Sequence, residues 1–182
     1  MSTLDVGYER RYTVEDMPDH EGKAELVDGR LELSPPAQWG HALVAHRLIV
    51  VLSRLLGDDY LAMTEVGVQL GTRDYRQPDA AVVRRDTDPS VRWLGPTDMV
   101  LAVEVVSPGS RRNDRIVKPA QYAKAGIEGF WRIETDPDLT LAAYALDPGA
   151  EVYTDLGTWR SGETVTVERP FGVSFDLDDL AR

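Results

Sequence analysis

The sequence has no cysteine and no long apolar segment. Without cysteine the protein can form neither a disulfide nor a thiolate metal site, and it cannot use a cysteine nucleophile. A helix that spans a bilayer needs about 20 consecutive, mainly apolar residues, and none of the apolar runs approaches that length. The acidic, polar N-terminus does not resemble a signal peptide. We therefore expect a cytoplasmic protein that does not enter a membrane.

Basic residues are also outnumbered by acidic ones. The chain has 20 Lys and Arg residues against 31 Asp and Glu residues, which gives a formal net charge of −11. This balance argues against a protein that coats nucleic acid non-specifically, because phosphate contacts require a basic face. It does not exclude a nuclease, since an enzyme that turns over needs positive charge only around its site.

Length and composition are those of an ordinary globular domain. The 182 residues are 42% hydrophobic and 8% aromatic, which suffices for one core. There is no repeat and no low-complexity linker. We therefore expect a single domain over residues 1–182, with a core over about 13–134 and a β-rich C-terminal extension over about 139–182.

The hydrophobic pattern predicts an α/β fold, in which helices flank a central mixed sheet and a hairpin lies at the N-terminal end. Asp28 and Gly29 separate two short apolar segments, a strong signal for a two-residue hairpin turn. Residues 38–56 have the longest helical pattern of apolar side chains. The other predicted elements are a helix over 13–19, one or two strands over 61–70, a polar turn over 71–77, a helix over 119–125, a strand over 128–134, and short strands over 140–146, 151–155 and 163–167.

Two carboxylates lie within apolar strand segments. Asp79 precedes an apolar run, and Glu104 interrupts the otherwise apolar run 99–106. Burying an ionised carboxylate costs several kcal/mol or more unless a cation, donors or a metal compensates it. The simplest compensation is a buried ion pair, with Arg85 or Arg132 as the nearest arginines in sequence.

The order of these two residues favours a second explanation. Asp79 opens one strand, Glu104 lies late in the next, and the connection over 85–98 is long enough to fold back. If the strands pair in antiparallel fashion, the two carboxylates converge at one edge of the sheet. Converging carboxylates bind hard divalent cations, and Mg²⁺ is typically held by one or two of them with water and phosphate.

A basic segment follows Glu104. Between Gly109 and Lys124 there are five cations and one acid, Asp114, which makes this stretch positive in an acidic protein. Asp114 and Lys118 are four residues apart and could also form an ordinary surface pair worth a few tenths of a kcal/mol. The three arginines of the segment are candidates for steering phosphate: Arg111, Arg112 and Arg115.

Taken together, these motifs resemble the Uma family (Uma-two) of restriction-endonuclease-like proteins, in the PD-(D/E)XK nuclease superfamily. The resemblance covers about residues 13–134, and its order and spacing are more specific than any single motif. The residues that carry it are Glu25-Leu26-Val27-Asp28-Gly29, Pro78-Asp79, Glu104-Val105-Val106-Ser107-Pro108, Asp114, Lys118, Tyr122, Gly126 and Phe130-Trp131.

The resemblance implies a restriction-endonuclease-like core in which Asp79 and Glu104 bind Mg²⁺ or Mn²⁺ and Lys118 is the catalytic lysine. In the superfamily this lysine usually follows the glutamate by two residues, a position that Val106 occupies here. The Uma family shares this departure, and the following helix supplies the cation instead. Pro119 directly follows Lys118 and disfavours the α conformation there. We therefore expect Lys118 at a helix start or a kink.

Four further polar residues can be considered as site residues. Glu25 is either part of a solvated strand face or a residue that lines the site, and Asp114 is a second candidate for lining the site. His41 and His46 lie on the long predicted helix. Neither has an identifiable co-ligand, so we expect both to be structural or surface residues.

A homodimer is expected from the resemblance and from two tryptophans. Trp93 and Trp159 are predicted to be exposed. Trp93 belongs to the 86–98 loop, which we interpret as a mobile flap or a subunit contact.

The function hypothesis is a metal-dependent endonuclease that hydrolyses DNA phosphodiester bonds. Asp79 and Glu104 would hold the ion, and Lys118 would stabilise charge on the transition state or orient the attacking water. One alternative is a non-catalytic dimeric binding or assembly protein that keeps the fold. The other is a carboxylate-pair hydrolase that acts on something other than nucleic acid, such as a glycosidase, which needs one carboxyl with a raised pKa and no metal.

Overall fold

A computed structural model describes residues 11–17, 23–34 and 37–181. These described ranges contain two α-helices and twelve strands, with short 3-10 turns at Val14–Asp16 and Leu177–Leu180. In chain order the elements are β1 (Lys23–Val27), β2 (Arg30–Ser34), α1 (Trp39–Leu55), β3 (Tyr60–Met63), β4 (Val68–Gly71), β5 (Asp74–Arg76), β6 (Ala80–Arg84), β7 (Met99–Val106), α2 (Lys118–Ala125), β8 (Gly129–Glu134), β9 (Thr140–Leu146), β10 (Tyr153–Arg160), β11 (Thr164–Val167) and β12 (Val173–Asp176).

Six strands form a central mixed sheet in the order β10-β9-β8-β7-β6-β3. β7 and β8 are parallel, with α2 in the connection between them, and the other neighbouring strands pair in antiparallel fashion. β7 lies inside the sheet, and all eight of its residues are buried. The predicted α/β class with a central mixed sheet is confirmed.

Helices cover both faces of this sheet. Successive side chains of a strand point to opposite faces, so Trp131 of β8 packs in the core with Leu48 of α1, whereas Phe130 packs with Tyr122 of α2. The prediction that Phe130 and Trp131 are core residues is therefore confirmed. Glycine at position 126 ends α2 with a φ of 88°, the left-handed conformation that glycine adopts readily.

A second sheet of four strands has the order β2-β1-β5-β4. Its β1–β2 hairpin turns at Asp28 and Gly29, whose φ angles of 47° and 76° suit a two-residue turn. This confirms the predicted hairpin. β1 pairs on its other side with β5, through Leu26 and Tyr75.

The prediction of a polar turn over 71–77 is wrong, because this stretch includes strand β5. Asp-Tyr-Arg has no apolar run to mark a strand, but Tyr75 is buried against the hairpin and pairs with Leu26. β5 therefore forms through pairing and packing with the neighbouring hairpin, and not through an apolar pattern of its own.

Helix boundaries agree with prediction for α1 and differ elsewhere. The predicted helix over 13–19 is a single 3-10 turn at Val14–Asp16, followed by extended Met17, and residues 18–19 lie outside the described part. α2 begins at Lys118, one residue before the predicted start.

The C-terminal region shares its core with the rest of the chain. β9 and β10 continue the central sheet beyond β8, and the β11–β12 hairpin packs Phe175 and the following turn against the α1 side of the sheet. The predicted strand over 151–155 begins at Tyr153 and runs to Arg160. Within the described ranges, no helix has both the length and the hydropathy to cross a membrane.

A buried charge cluster as candidate active site

Asp79 and Glu104 lie side by side because β6 and β7 pair in antiparallel fashion. The backbone N–H of Asp79 donates to the Val103 carbonyl at 3.0 Å. Its Oδ2 accepts a hydrogen bond from the Val105 N–H at 2.8 Å. Asp79 is thereby bonded to the residues on both sides of Glu104, as the predicted convergence requires.

The cation next to both carboxylates is Lys23, the first residue of β1. Its Nζ lies 2.8 Å from Asp79 Oδ1 and 3.7 Å from Glu104 Oε2. This residue was not identified from the sequence. No pattern within 23–27 indicates that the second sheet would place its edge over the β6–β7 site.

The expectation that Arg85 or Arg132 compensates Glu104 is wrong. Arg85 donates to the Asp58 and Tyr60 carbonyls, and Arg132 Nε lies 3.1 Å from Glu134 Oε1. Lysines from other elements occupy the space around Glu104 instead.

Lys118 and Tyr122, both on α2, contact the two carboxylate oxygens of Glu104. Lys118 Nζ lies 2.7 Å from Oε2, and the Tyr122 hydroxyl donates to Oε1 at 2.7 Å. The two residues are four apart on α2 and therefore share a face. Lys118 Nζ also lies 3.3 Å from Asp114 Oδ1 and 3.6 Å from Glu25 Oε1. Several residues that carry the resemblance therefore form one buried cluster.

Lys118 reaches this position at the junction of two kinds of helix. Residues Asn113–Val117 form a π-helical turn, and the Lys118 N–H donates to the Asn113 carbonyl, five residues earlier. Lys118 is helical, with φ −62° and ψ −48°, so Pro119 does not force it out of the α region. Lys118 is the first residue of α2, as expected, but the residues before it are already helical, so it marks the change from the π turn to the α-helix. Single π turns are frequent at functional sites.

Glu25 is buried, which rules out the solvated strand face. It is 4% exposed, its Oε2 lies 2.9 Å from Arg76 Nη1, and its Oε1 accepts from the Gln77 N–H at 3.0 Å. Arg76 is 1% exposed and also donates to Gln121 of α2. Arg76 was missed because its segment was interpreted as a turn.

Asp114 is buried as well, so its pairing with Lys118 is no ordinary surface pair. Its Oδ2 accepts a hydrogen bond from the Ser110 hydroxyl. Both predicted site-lining acids, Glu25 and Asp114, therefore contact the Lys118 ammonium.

His41 lies beside Asp79, a position that the sequence did not predict. Its Nε2 lies 2.7 Å from the Val105 carbonyl and 3.1 Å from Asp79 Oδ2. Because the carbonyl only accepts, Nε2 carries the proton. The expectation for the other histidine agrees with the structure, since His46 is exposed.

The two central carboxyls have opposite pKa shifts. Burial would raise the pKa of Asp79, but the hydrogen bond from His41 and the ammonium groups of Lys23 and Lys118 hold it well below its usual range. Burial raises the pKa of Glu104 to about 7, although Lys118 and Lys23 oppose the rise. Asp79 is therefore ionised at neutral pH, whereas Glu104 titrates near it.

The two lysines stay protonated in spite of burial. Burial lowers the pKa of Lys118, but the carboxylates of Glu104, Glu25 and Asp114 raise it well above its usual range. The pKa of Lys23 is raised in the same way by Glu104 and Asp79. Both side chains therefore act as fixed positive charges.

The carboxylates of this site are ligands of the chemical type that a hard divalent ion binds. Asp79 Oδ1 and Glu104 Oε2 both face one cationic group, the Lys23 ammonium, so the two carboxylates already share a cation. Carboxylate oxygens are ligands that Mg²⁺ and Mn²⁺ accept, with water completing the coordination. No cluster of three or more His, Asp and Glu side chains suited to a metal occurs in the described residues.

The three arginines of the basic segment differ in whether they already form an ion pair. Arg111 Nη2 lies 2.9 Å from Asp136 Oδ2, and Arg115 pairs with Glu134. Arg112 is exposed and has no ion-pair partner in the part of the chain that the structure describes. It is therefore the arginine of this group that is free to meet a phosphate.

The tryptophans expected to be exposed are half-buried. Trp93 packs edge-on against Tyr75, with ring centroids 4.7 Å apart, and Trp159 packs against the main core. In the described residues the most exposed large apolar side chain is Trp39, at 79%. The basis for a dimer in Trp93 and Trp159 is therefore removed.

Comparison with known proteins agrees with this architecture. A solved structure from Anabaena variabilis, described as "a putative nuclease belonging to DUF820", superposes with a TM-score of 0.69 at 19% identity, over 92% of this chain and 96% of that one. No curated protein matches the chain. The family model Uma2, described as "Putative restriction endonuclease", matches residues 11–178. The chain therefore belongs to the Uma2 family and has its restriction-endonuclease-like fold.

Proposed function

We propose that the protein is an endonuclease that hydrolyses DNA phosphodiester bonds with Mg²⁺ or Mn²⁺. The observation that carries the proposal is the placement of Asp79 and Glu104 around one cationic group, with Lys118 bound to the same glutamate. The family description and the nuclease named in the structural match support it.

Asp79 and Glu104 would hold the metal, whose chemistry is to polarise a phosphate and lower the pKa of a bound water. Lys118 serves as a fixed cation for charge that develops on the phosphate oxygens. Its position is held by Glu25 and Asp114, whose carboxylates lie 3.6 Å and 3.3 Å from its Nζ. A rigid cation of this kind needs no reorganisation during the reaction.

His41 and Arg112 have supporting roles in this proposal. His41 holds Asp79 through Oδ2 and leaves Oδ1 facing the Lys23 side. Arg112 is exposed at the start of the π turn that leads to Lys118, where its charge can attract the DNA backbone.

A non-catalytic binding protein is the second candidate. It is favoured by the lysines themselves, because Lys23 and Lys118 already compensate Asp79 and Glu104 without a metal. The net charge of −11 points the same way. A glycosidase fits less well, since both Glu104 oxygens are engaged and the residue is 1% exposed, whereas a general acid must reach its substrate.

The test is Mn²⁺ binding by calorimetry, followed by plasmid nicking on the same samples. We expect wild type to bind Mn²⁺ and nick DNA, Asp79→Asn and Glu104→Gln to lose both, and Lys118→Met to lose nicking more than binding. Asp138→Asn, which changes an exposed acid, is the matched control. Wild type that binds no Mn²⁺ would refute the nuclease and support the binding protein.

A homodimer is a separate proposal that rests on the family resemblance alone. Sedimentation velocity at micromolar concentration distinguishes a dimer from a monomer, and a monomer throughout this range would remove it.

A further inference from the structure

Lys23 belongs to a different structural unit from the two carboxylates that it contacts. It begins β1 of the four-stranded sheet, whereas Glu104 lies in β7 of the central sheet and Asp79 directly precedes β6 of that sheet. Its ammonium lies where both carboxylates can reach it. A divalent ion held by these two residues would need the same space.

The two lysines of the cluster differ in how firmly they are held. Lys118 is 4% exposed and lies within 3.6 Å of three carboxylates. Lys23 is 23% exposed and has one close partner, Asp79, with Glu104 at 3.7 Å. A long side chain with one exposed side can move its charged end into water and keep its stem in place. Lys23 is therefore the cation that can leave.

If Lys23 left, both carboxylates would still have hydrogen-bond or ion-pair partners. Glu104 would keep Lys118 and the Tyr122 hydroxyl, and Asp79 would keep His41 and the Val105 N–H. The remaining deficit is one positive charge between Asp79 Oδ1 and Glu104 Oε2. This is the deficit that a hard cation fills.

We propose that Lys23 is a built-in competing cation, which occupies the site between Asp79 and Glu104 and must leave before a divalent ion binds. The inference rests on the proposed function, since it needs a metal that these two carboxylates bind. Because the divalent ion replaces the Lys23 ammonium, the carboxylates have a compensating cation both before and after the ion binds. A site that is open for only part of the time binds with an affinity reduced by the open fraction.

The experiment measures Mn²⁺ affinity of the full chain by calorimetry, after treatment with EDTA and its removal. Lys23→Met deletes the charge and keeps most of the side-chain volume. Lys124→Met makes the same change at an exposed lysine of α2 and controls for net charge. Lys23→Gln is a second variant, whose amide can still donate to Asp79 if the methionine variant does not fold.

We expect Lys23→Met and Lys23→Gln to bind Mn²⁺ at least about tenfold more tightly than wild type, with Lys124→Met unchanged. Thermal unfolding provides a readout without activity. In EDTA the Lys23 variants should melt below wild type, because Asp79 and Glu104 lose the ammonium charge that lies between them, and saturating Mn²⁺ should raise their Tm more than it raises that of wild type.

The outcomes separate this inference from the proposed function. Equal Mn²⁺ affinity in wild type and the Lys23 variants, lost in each on Asp79→Asn, would overturn the competing cation and leave the metal site intact. No Mn²⁺ binding in any variant would overturn both. Equal tightening by Lys124→Met would show a general charge effect and also overturn the role of Lys23.

Discussion

The ammonium of Lys118 lies 2.7 Å from Oε2 of Glu104, with the two side chains 4% and 1% exposed. Ion pairs at this depth differ from surface pairs, because removal of one partner leaves an uncompensated charge away from water. The pair therefore links the stability of the fold to the chemistry that we propose for the site.

Replacing Lys118 by methionine should destabilise the fold by about 3–5 kcal/mol, the usual cost of breaking a buried pair. Urea unfolding followed by tryptophan fluorescence measures it. Lys124→Met, on the same helix but exposed, should change stability by no more than about 0.5 kcal/mol. Equal, small effects of the two substitutions would contradict the buried pair.

Tyr122→Phe should cost about 1.5–3 kcal/mol of stability, since it deletes a hydrogen bond to a group that carries charge. Its hydroxyl donates to Glu104 Oε1 at 2.7 Å. Tyr153→Phe is the matched control, because that hydroxyl donates to the neutral Ile127 carbonyl at 2.8 Å and should cost about 0.5–1.5 kcal/mol. Urea unfolding measures the loss of stability in both variants, and an equal or smaller loss in Tyr122→Phe would contradict the prediction.

Stability should fall as pH rises from about 5 to 7 through the titration of Glu104. Burial raises its folded pKa to about 7 from the usual value of 4.5, so in this window the folded state binds the proton and the unfolded state does not. The slope is at most about 1.4 kcal/mol per pH unit. His41, whose pKa is also raised, contributes stability below its usual pKa that is lost as pH rises through the folded value.

Comparing wild type with Glu104→Gln isolates the glutamate, because the variant cannot titrate at this position. Urea unfolding in EDTA at intervals between pH 5 and 7.5 should show a steeper decline for wild type. Parallel curves would mean that Glu104 is ionised throughout.

Arg112→Ala should weaken binding of duplex DNA and make the binding less dependent on salt. Loss of one phosphate contact makes the negative slope of log K against log salt shallower by about 0.9. Fluorescence anisotropy in EDTA measures the slope without cleavage. Arg160→Ala, at the exposed end of β10, is the control, and equal effects of both substitutions would refute a local role for Arg112.

The pairing of Asp79 with Glu104 was predictable because it depends on neighbouring strands. An antiparallel connection between the two segments brings the start of one to the end of the other, and the structure has this arrangement. The Asp28-Gly29 hairpin and the Gly126 helix end were predictable for the same local reason. The position of Lys118 required the family resemblance as well, because Pro119 alone did not fix its conformation.

The cations around these carboxylates could not be predicted, because they come from distant segments. Lys23 and Arg76 belong to the second sheet, and His41 belongs to α1. Their contacts depend on how that sheet and helix pack against β6 and β7, which no local pattern specifies.

The sequence by itself determined the fold class, the hairpin and the two convergent carboxylates, since each follows from periodicity, turn chemistry or strand pairing. Tertiary structure alone decided the charge balance of the site. Lys23 compensates Asp79, Arg76 compensates Glu25, and Lys118 compensates Glu104. Electrostatic compensation acts across space over a few ångströms, so it is set by packing and not by order along the chain.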